Sequence, residues 1–166
     1  DISHQKRVER EREQTEGLLR RIKTGLSELA ESPEIYNGNL EQAFQTITRV
    51  AGVFLCVERV SIWFFTENRS TLQCAKLYQF TTQEYSQGTV LAATAYPRYF
   101  RELETEQPVV ADDAQHDPKT AEFATSYLAP LGITSMLDVP IRSGGQMVGV
   151  ICHEHIGPIR CWTLEE

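Results

Sequence analysis

Two histidines near the end of the sequence are the first side chains whose types and spacing could do chemistry. His153 and His155 stand two residues apart in a run that alternates like a β-strand, so their side chains share one face. Two imidazoles could hold a metal ion, but the neighbouring residues supply no third donor, and no motif marks a haem ligand. We expect polar strand positions without a metal and keep His153 as a candidate contact for an organic ligand.

Aromatic side chains form the second group of candidates. Rings with a few hydroxyl groups can build a flat apolar wall, which is what a small planar ligand requires. Their helical spacing is equally typical of ordinary core packing, so both interpretations stay open. The candidate wall consists of Tyr96, Tyr99, Phe100, Phe123 and Tyr127. The predicted ligand contacts are these residues except Phe100, together with Met136 from a later strand.

A polar loop at residues 108–118 holds the third group. Asp112 and Asp113 could orient an amine or hydroxyl group of a ligand, and His116 stands close behind them. Aspartates that precede a helix also commonly cap backbone N–H groups, and we regard that role as the stronger alternative.

The sequence shows no pattern that indicates catalysis. It contains no Ser-His-Asp motif, no phosphate-binding loop and no glycine-rich dinucleotide fingerprint. Its four cysteines lie too far apart for a C-x-x-C pair, which is typical of a protein from a reducing cytoplasm. We therefore expect a cytoplasmic, non-catalytic chain.

Composition and charge exclude several classes of partner. With 166 residues, 41% of them hydrophobic and 23% charged, the chain suits one globular domain. Residues 1–31 carry seven basic and seven acidic side chains, so residues 32–166 carry the whole net charge of −7. An acidic domain repels phosphate backbones, and no apolar run of about 18 residues occurs. We expect no contact with nucleic acid or membrane.

The first 31 residues predict one long helix. They contain no proline, and their apolar positions recur at spacings of three and four on an otherwise charged helix. Such a stripe favours a parallel coiled coil with a second copy; the alternative is a helix that lies on its own domain. The predicted dimer contacts are Leu18, Leu19, Ile22, Leu26 and Leu29.

The remaining residues predict a mixture of helices and antiparallel strands. Helices are expected at residues 40–52, 94–106 and 120–131, and a first pair of strands at 60–65 and 72–80. A tight hairpin around Gly144 and Gly145 joins two strands near the end. Thr163 and Glu166 fit a capping box, so we expect a helix to begin there and the sequence to be a piece of a longer protein.

Residues 131–141, the Gly-Gly turn, residues 148–155 and residues 162–166 together resemble the C-terminal half of a GAF domain. The resemblance implies an α+β fold for residues 32–166, with an antiparallel sheet of five or six strands and helices on both faces. Residues 1–7 in turn resemble the exit segment of a PAS domain, which leads into a signalling helix.

That resemblance also implies a role and partners. GAF domains of this kind are sensory or relay modules of bacterial histidine kinases and diguanylate cyclases. We expect a homodimer through residues 1–31 and the helix at Thr163, and a small-molecule ligand of unknown identity. In GAF domains the loop at residues 108–118 generally caps the ligand pocket.

The resemblance leaves a chromophore site and an enzyme as alternatives. Cys152-His153 also occurs in the bilin-binding GAF domains of phytochromes, but Phe123 and Ala124 stand where plant-type members carry the bilin-linking cysteine and its histidine. Residues 1–55 contain no cysteine either, which argues against covalent bilin. A few GAF proteins reduce methionine sulfoxide with two thiols, yet Cys152 and Cys161 lie in no such motif. The residue set of cyclic-nucleotide-binding members is absent.

Overall fold

The computed structural model describes residues 2–166, so Asp1, the first residue of the PAS-like segment, lies outside the described residues. Helix α1 (Ile2–Glu31) runs unbroken, as the sequence predicts. After a short turn of helix, α2 (Pro33–Tyr36), helix α3 (Leu40–Leu55) begins where Asn39 accepts a 3.1 Å hydrogen bond from the backbone of Gln42. No helix of residues 2–166 is both long and apolar enough to cross a membrane.

Within residues 2–166, seven antiparallel strands form one sheet. The strands are β1 (Arg59–Phe65), β2 (Thr71–Gln79), β3 (Glu84–Ser86), β4 (Val90–Ala92), β5 (Val109–Ala111), β6 (Ile133–Ser143) and β7 (Gln146–Ile156). Six of them lie in the order β3-β2-β1-β7-β6-β5, and β4 pairs with β2. The predicted α+β fold is confirmed, and β4 takes the sheet to one strand more than expected.

The hairpin between β6 and β7 has the predicted turn. Gly144 and Gly145 adopt φ angles of 58° and 81°, which only glycine enters without strain. One residue of β7 is extra in the register, because Ile141 pairs with Gly149 whereas Arg142 pairs with Met147. Simple alternation along residues 147–155 would place Met147 on the face of His153. The bulge interrupts that alternation, and Met147 packs in the apolar core with Val150.

The two faces of the sheet are covered differently. Helix α3 lies against β1 and β2 on one face, where Tyr78 packs against Gly52. The other face carries α4 (Pro97–Glu104) and residues 121–131, which close over a cluster of buried apolar residues. Successive strand residues therefore point either toward α3 or toward this second layer.

Residues 120–131 do not form the continuous helix that the periodicity predicts. The chain makes a 3₁₀ turn (Ala121–Phe123), a π turn (Ala124–Leu128) and a single α turn, α5 (Ala129–Leu131). Pro130 has no amide hydrogen and its ring crowds the preceding turn, which disfavours regular α geometry. The segment ends as predicted at Gly132, whose φ is 71°.

The C-terminal part of α1 lies on its own domain. A Cβ atom at Gly25 would stand only 3.0 Å from the ring of Phe54, and Glu28 forms a 2.6 Å ion pair with Arg49 of α3. For this part of α1, the structure thus has the alternative that the sequence left open, a helix that lies on its own domain and not in a coiled coil. Of the predicted dimer contacts, Leu19 and Leu26 remain exposed, at 47% and 62% of their surface, whereas Leu18, Ile22 and Leu29 are half-buried.

The predicted capping-box contact forms at the end of the chain. The carboxylate of Glu166 accepts a 3.0 Å hydrogen bond from the backbone N–H of Thr163. Within the described residues this segment makes a turn and not a helix.

Candidate functional site

A cavity of about 230 Å³ lies between the sheet, including β4, and the layer formed by α4 and residues 121–131. Its walls are mostly apolar and aromatic. The lining residues come from several segments of the chain: Arg59, Trp63, Cys74, Leu77, Thr89, Val90, Leu91, Tyr96, Tyr99, Phe123, Ser126, Tyr127, Met136, Cys152 and Glu154.

Stacked rings form one wall of the cavity. The ring centroids of Tyr96 and Phe123 lie 4.2 Å apart, with an interplanar angle of 23°. The ring of Tyr99 meets that of Phe123 edge-on, with the centroids 4.9 Å apart. Offset stacking and edge-to-face contacts are the preferred arrangements of such rings. The broken helix at residues 121–131 supplies Phe123, which holds the other two rings.

An ion pair and a tyrosine form the polar floor. Arg59 Nε donates to Glu154 Oε2 at 2.8 Å, and the two side chains are only 9% and 4% exposed. Tyr127 donates its hydroxyl to Glu154 Oε1 at 2.8 Å and accepts a 3.2 Å hydrogen bond from Arg59 Nη2. Burial raises the pKa of Glu154, while the attraction of Arg59 opposes that rise.

A second polar cluster lies beside the cavity, around Asp138. Its Oδ2 accepts a 2.5 Å hydrogen bond from the hydroxyl of Tyr99, whereas its Oδ1 has no partner among residues 2–166. Burial, reinforced by the nearby negative charge of Glu154, raises the pKa of Asp138 to about 7. The buried carboxyl group thus keeps its proton to a higher pH than an exposed aspartate does.

The thiols of the cavity are poor nucleophiles. Burial raises the pKa of Cys74 to about 11 and holds the pKa of Cys152 well above its usual range. Thiol chemistry proceeds through the thiolate, which these surroundings disfavour. All four cysteines are free, and Cys161 is exposed whereas Cys152 is buried.

Five of the nine ligand contacts predicted from the sequence come together in the cavity. They are Tyr96, Tyr99, Phe123, Tyr127 and Met136. The geometry brings these residues from the start of α4, from β6 and from residues 121–131 to one space, as a binding wall requires.

The other four predicted contacts lie outside the cavity. Asp112 accepts a 3.0 Å hydrogen bond from the backbone of Trp162, and Asp113 pairs with His116 at 2.9 Å on the surface. Asp112 thus satisfies a backbone N–H group far along the chain, whereas Asp113 bonds a neighbouring side chain and caps no backbone N–H group. His153 points to the opposite face because its neighbours Cys152 and Glu154 line the cavity.

Burial explains the state of His153. Its Nδ1 lies 2.9 Å from the backbone oxygen of Leu137, and burial lowers its pKa. The neutral ring therefore serves as a donor inside the sheet. Among residues 2–166, no group of three His, Cys, Asp or Glu side chains is arranged to hold a metal ion.

Three polar residues of the site were not predicted from the sequence. Arg59, Asp138 and Glu154 are each a charged residue within a strand of the sheet. Fully buried charges are rare unless they are paired, so that pattern was the available signal. What the sequence does not show is that Arg59 and Glu154, far apart in the chain, pair directly across two strands.

The family model of the GAF domain matches residues 39–166 of this chain. The chain belongs to the GAF family. That range includes every residue that lines the cavity. No curated protein matches the chain.

Several solved structures share the fold of this GAF domain. The GAF domain of a phosphoenolpyruvate-protein phosphotransferase from Coxiella burnetii aligns with a TM-score of 0.64 and 17% identity, covering 90% of this chain and 83% of that one. The chromophore-binding domain of a Stigmatella aurantiaca bacteriophytochrome aligns with a TM-score of 0.63 and 15% identity, covering 89% of this chain and 54% of that one. The GAF domain of a two-component sensor histidine kinase from Bacillus halodurans aligns with a TM-score of 0.50 and 23% identity. The alignment covers 66% of this chain and 70% of that one. These likenesses establish the fold alone.

Proposed function

We propose that this GAF domain is a sensory or signal-relay module of a bacterial signal-transduction protein, and that it binds a small molecule in the cavity above β1 and β7. The observation that carries the proposal is the cavity itself, with aromatic walls and a buried Arg59–Glu154–Tyr127 floor. Largely apolar concave sites with a few convergent polar groups are typical of small-molecule binding.

The proposed parent is a cytoplasmic histidine kinase or diguanylate cyclase, with no catalytic role for the domain. Membership of the GAF family and the PAS-like start of the chain support this setting. The raised thiol pKa values support the non-catalytic role, because a methionine sulfoxide reductase needs a reactive thiolate.

The proposed route for the signal is a homodimer through α1. The exposed side chains of Leu19 and Leu26 support it, since they extend the apolar stripe on the side of α1 that does not face α3. Contacts of α1 with α3 through Gly25 and Glu28 connect that helix to the sheet that floors the cavity.

A chromophore such as a bilin or haem is the second candidate, favoured by the shared fold with chromophore-binding domains. The cavity of about 230 Å³ falls below the roughly 300–1,000 Å³ of sites for drug-sized ligands, so a tetrapyrrole requires the layer above the sheet to open. Visible absorption of the protein after incubation with biliverdin or haem tests this candidate.

Native mass spectrometry and calorimetry with a small-molecule library test the main proposal. Ser126 is exposed at the rim of the cavity, so Ser126→Trp should obstruct it without disturbing the core. Thr125→Trp, at the neighbouring exposed position outside the lining, is the matched control. A ligand that binds the wild type and the control but not Ser126→Trp supports the proposal; equal binding to both variants, or none to the wild type, contradicts it.

A further inference from the structure

The guanidinium of Arg59 has more donors than the protein uses. Its Nε donates to Glu154 and its Nη2 to Tyr127, while its Nη1 donates to no acceptor within residues 2–166. Arginine carries five N–H groups in one plane, so three of them remain for a further acceptor. Arg59 lines the cavity and its side chain is 9% exposed, so that acceptor has to come from within the cavity.

The remaining buried polar groups of the floor are already satisfied. Each oxygen of Glu154 accepts at least one hydrogen bond, and the hydroxyl of Tyr127 both donates and accepts. Among Arg59, Glu154 and Tyr127 the unused hydrogen-bonding capacity is therefore that of a donor. The unpartnered Oδ1 of Asp138 lies beside the cavity and does not line it. A ligand that brings an acceptor gains a charge-assisted hydrogen bond, whereas an amine would compete with Arg59 for Glu154.

The walls set the size and shape of the rest of the ligand. A volume of about 230 Å³ equals roughly eight water-sized volumes of about 30 Å³, which corresponds to on the order of ten non-hydrogen atoms. Tyr96, Phe123 and Trp63 offer apolar ring surfaces above the floor. A flat apolar group suits them, because rings stack with little loss of conformational freedom.

We infer that the cavity takes a small planar carboxylic acid, with its carboxylate bound by the unused N–H groups of Arg59 and its flat apolar part against the aromatic wall. The inference rests on the proposed function. The planar fork of arginine matches a carboxylate in two parallel hydrogen bonds, a geometry that lysine cannot reproduce. Glu154 then acts as the counter-ion that keeps Arg59 in place when the site is empty.

Calorimetric titration with benzoate and with benzylamine tests the inference. The two probes have the same ring and opposite charge, so shape alone does not separate them. We expect benzoate to bind the wild type and benzylamine not to bind. For Arg59→Lys we expect benzoate to bind about tenfold more weakly, because one point charge replaces the fork.

Glu154→Gln gives the sharper comparison. It keeps the shape of the side chain and removes a negative charge that a bound carboxylate would face, so benzoate should bind about threefold more tightly or better. The same change should abolish the binding of any cation that pairs with Glu154. Comparison of the two probes on the wild type does not depend on either variant being stable.

The outcomes separate this inference from the proposed function. Benzylamine binding better than benzoate, or benzoate binding equally to the wild type and Arg59→Lys, overturns the carboxylate assignment while leaving a ligand site. Absence of benzoate binding at millimolar concentration overturns it as well. If Ser126→Trp also leaves the binding of every library compound unchanged, the ligand-binding function itself fails.

Discussion

Arg59 of β1 and Glu154 of β7 stand directly opposite each other in the centre of the sheet and form a 2.8 Å ion pair that is almost entirely buried. Two adjacent strands thus place opposite charges on the cavity side of the sheet. A buried pair is expensive to desolvate, and it is strongly destabilising to remove only one partner. The pair therefore ties the stability of the fold to the polar floor of the cavity.

The first prediction concerns this pair. Arg59→Met and Glu154→Leu should each lower the free energy of unfolding by about 3–5 kcal/mol, because each leaves one buried charge uncompensated. The double variant should lose much less free energy of unfolding than the sum of the losses of the two single variants. Urea denaturation of the four proteins measures the coupling; additive losses would show that the pair does not interact in solution.

Asp138 should make stability depend on pH. Burial raises the pKa of Asp138 to about 7, whereas in the unfolded chain it titrates near a pKa of about 4. The folded state therefore holds a proton that the unfolded state has lost, and this contribution is fully present below about pH 4 and lost as the pH rises through about 7.

Asp138→Asn mimics the protonated acid at every pH. Its stability relative to the wild type should improve by roughly 2–3 kcal/mol between about pH 5 and pH 8, as measured by urea denaturation. Burial lowers the pKa of His153, so its contribution to stability changes with pH in the opposite direction. That contribution is the same in the wild type and in Asp138→Asn, so the difference between their free energies of unfolding reports on Asp138 alone. A pH-independent difference would mean that the carboxyl group titrates normally.

Two glycines of α1 should respond differently to the same change. A Cβ atom added at Gly17 would meet no other atom within 4 Å, so Gly17→Ala should stabilise the protein by up to about 1 kcal/mol through helix propensity. At Gly25 the new methyl group would stand 3.0 Å from the ring of Phe54. Gly25→Ala should therefore be at least about 1 kcal/mol less stable than Gly17→Ala by thermal unfolding. Equal effects would mean that α1 does not pack on α3.

The proposed dimer depends on the exposed leucines of α1. Leu19→Glu combined with Leu26→Glu should convert a dimer to a monomer, because charges are costly in an apolar helix interface. Ser27→Glu, which adds a charge at a neighbouring exposed position, should leave the dimer intact. Sedimentation velocity at tens of micromolar measures the difference. A monomeric wild type would contradict the proposed relay geometry.

Lys76 connects the segment above the cavity to α3. Its buried ammonium group donates to Glu41 at the start of α3 and, at 2.6 Å, to Gln87. Gln87 precedes Thr89, Val90 and Leu91, which line the cavity.

Gln87→Ala should therefore raise amide exchange at residues 88–91 severalfold, because one of the anchors of that segment is lost. Gln107→Ala, at an exposed position in another loop, is the control. Hydrogen exchange followed by mass spectrometry measures both variants. Unchanged protection in Gln87→Ala would show that strand pairing alone holds the segment.

Local patterns in the sequence were sufficient for most elements. The apolar spacing of α1, the Gly144–Gly145 turn and the flanking strands depend on neighbours within a few residues, and each has the predicted form. The aromatic wall was one of two interpretations that the sequence left open, and the structure brings four of these rings to one cavity. The single helix predicted at residues 120–131 does not form. Pro130 disrupts the regular backbone hydrogen bonds there, and the spacing of apolar residues carries no information about that disruption.

By itself the sequence determined the types of the elements and the α+β class, because helix and strand periodicities are written along the chain. Only the tertiary structure decided which polar residues meet. Strand order and register bring Arg59 and Glu154 together. His153 lies outside the cavity because side chains alternate along β7, and the sequence does not specify which face of that strand meets the cavity. Pairing across strands depends on the whole sheet, and no local stretch of residues encodes it.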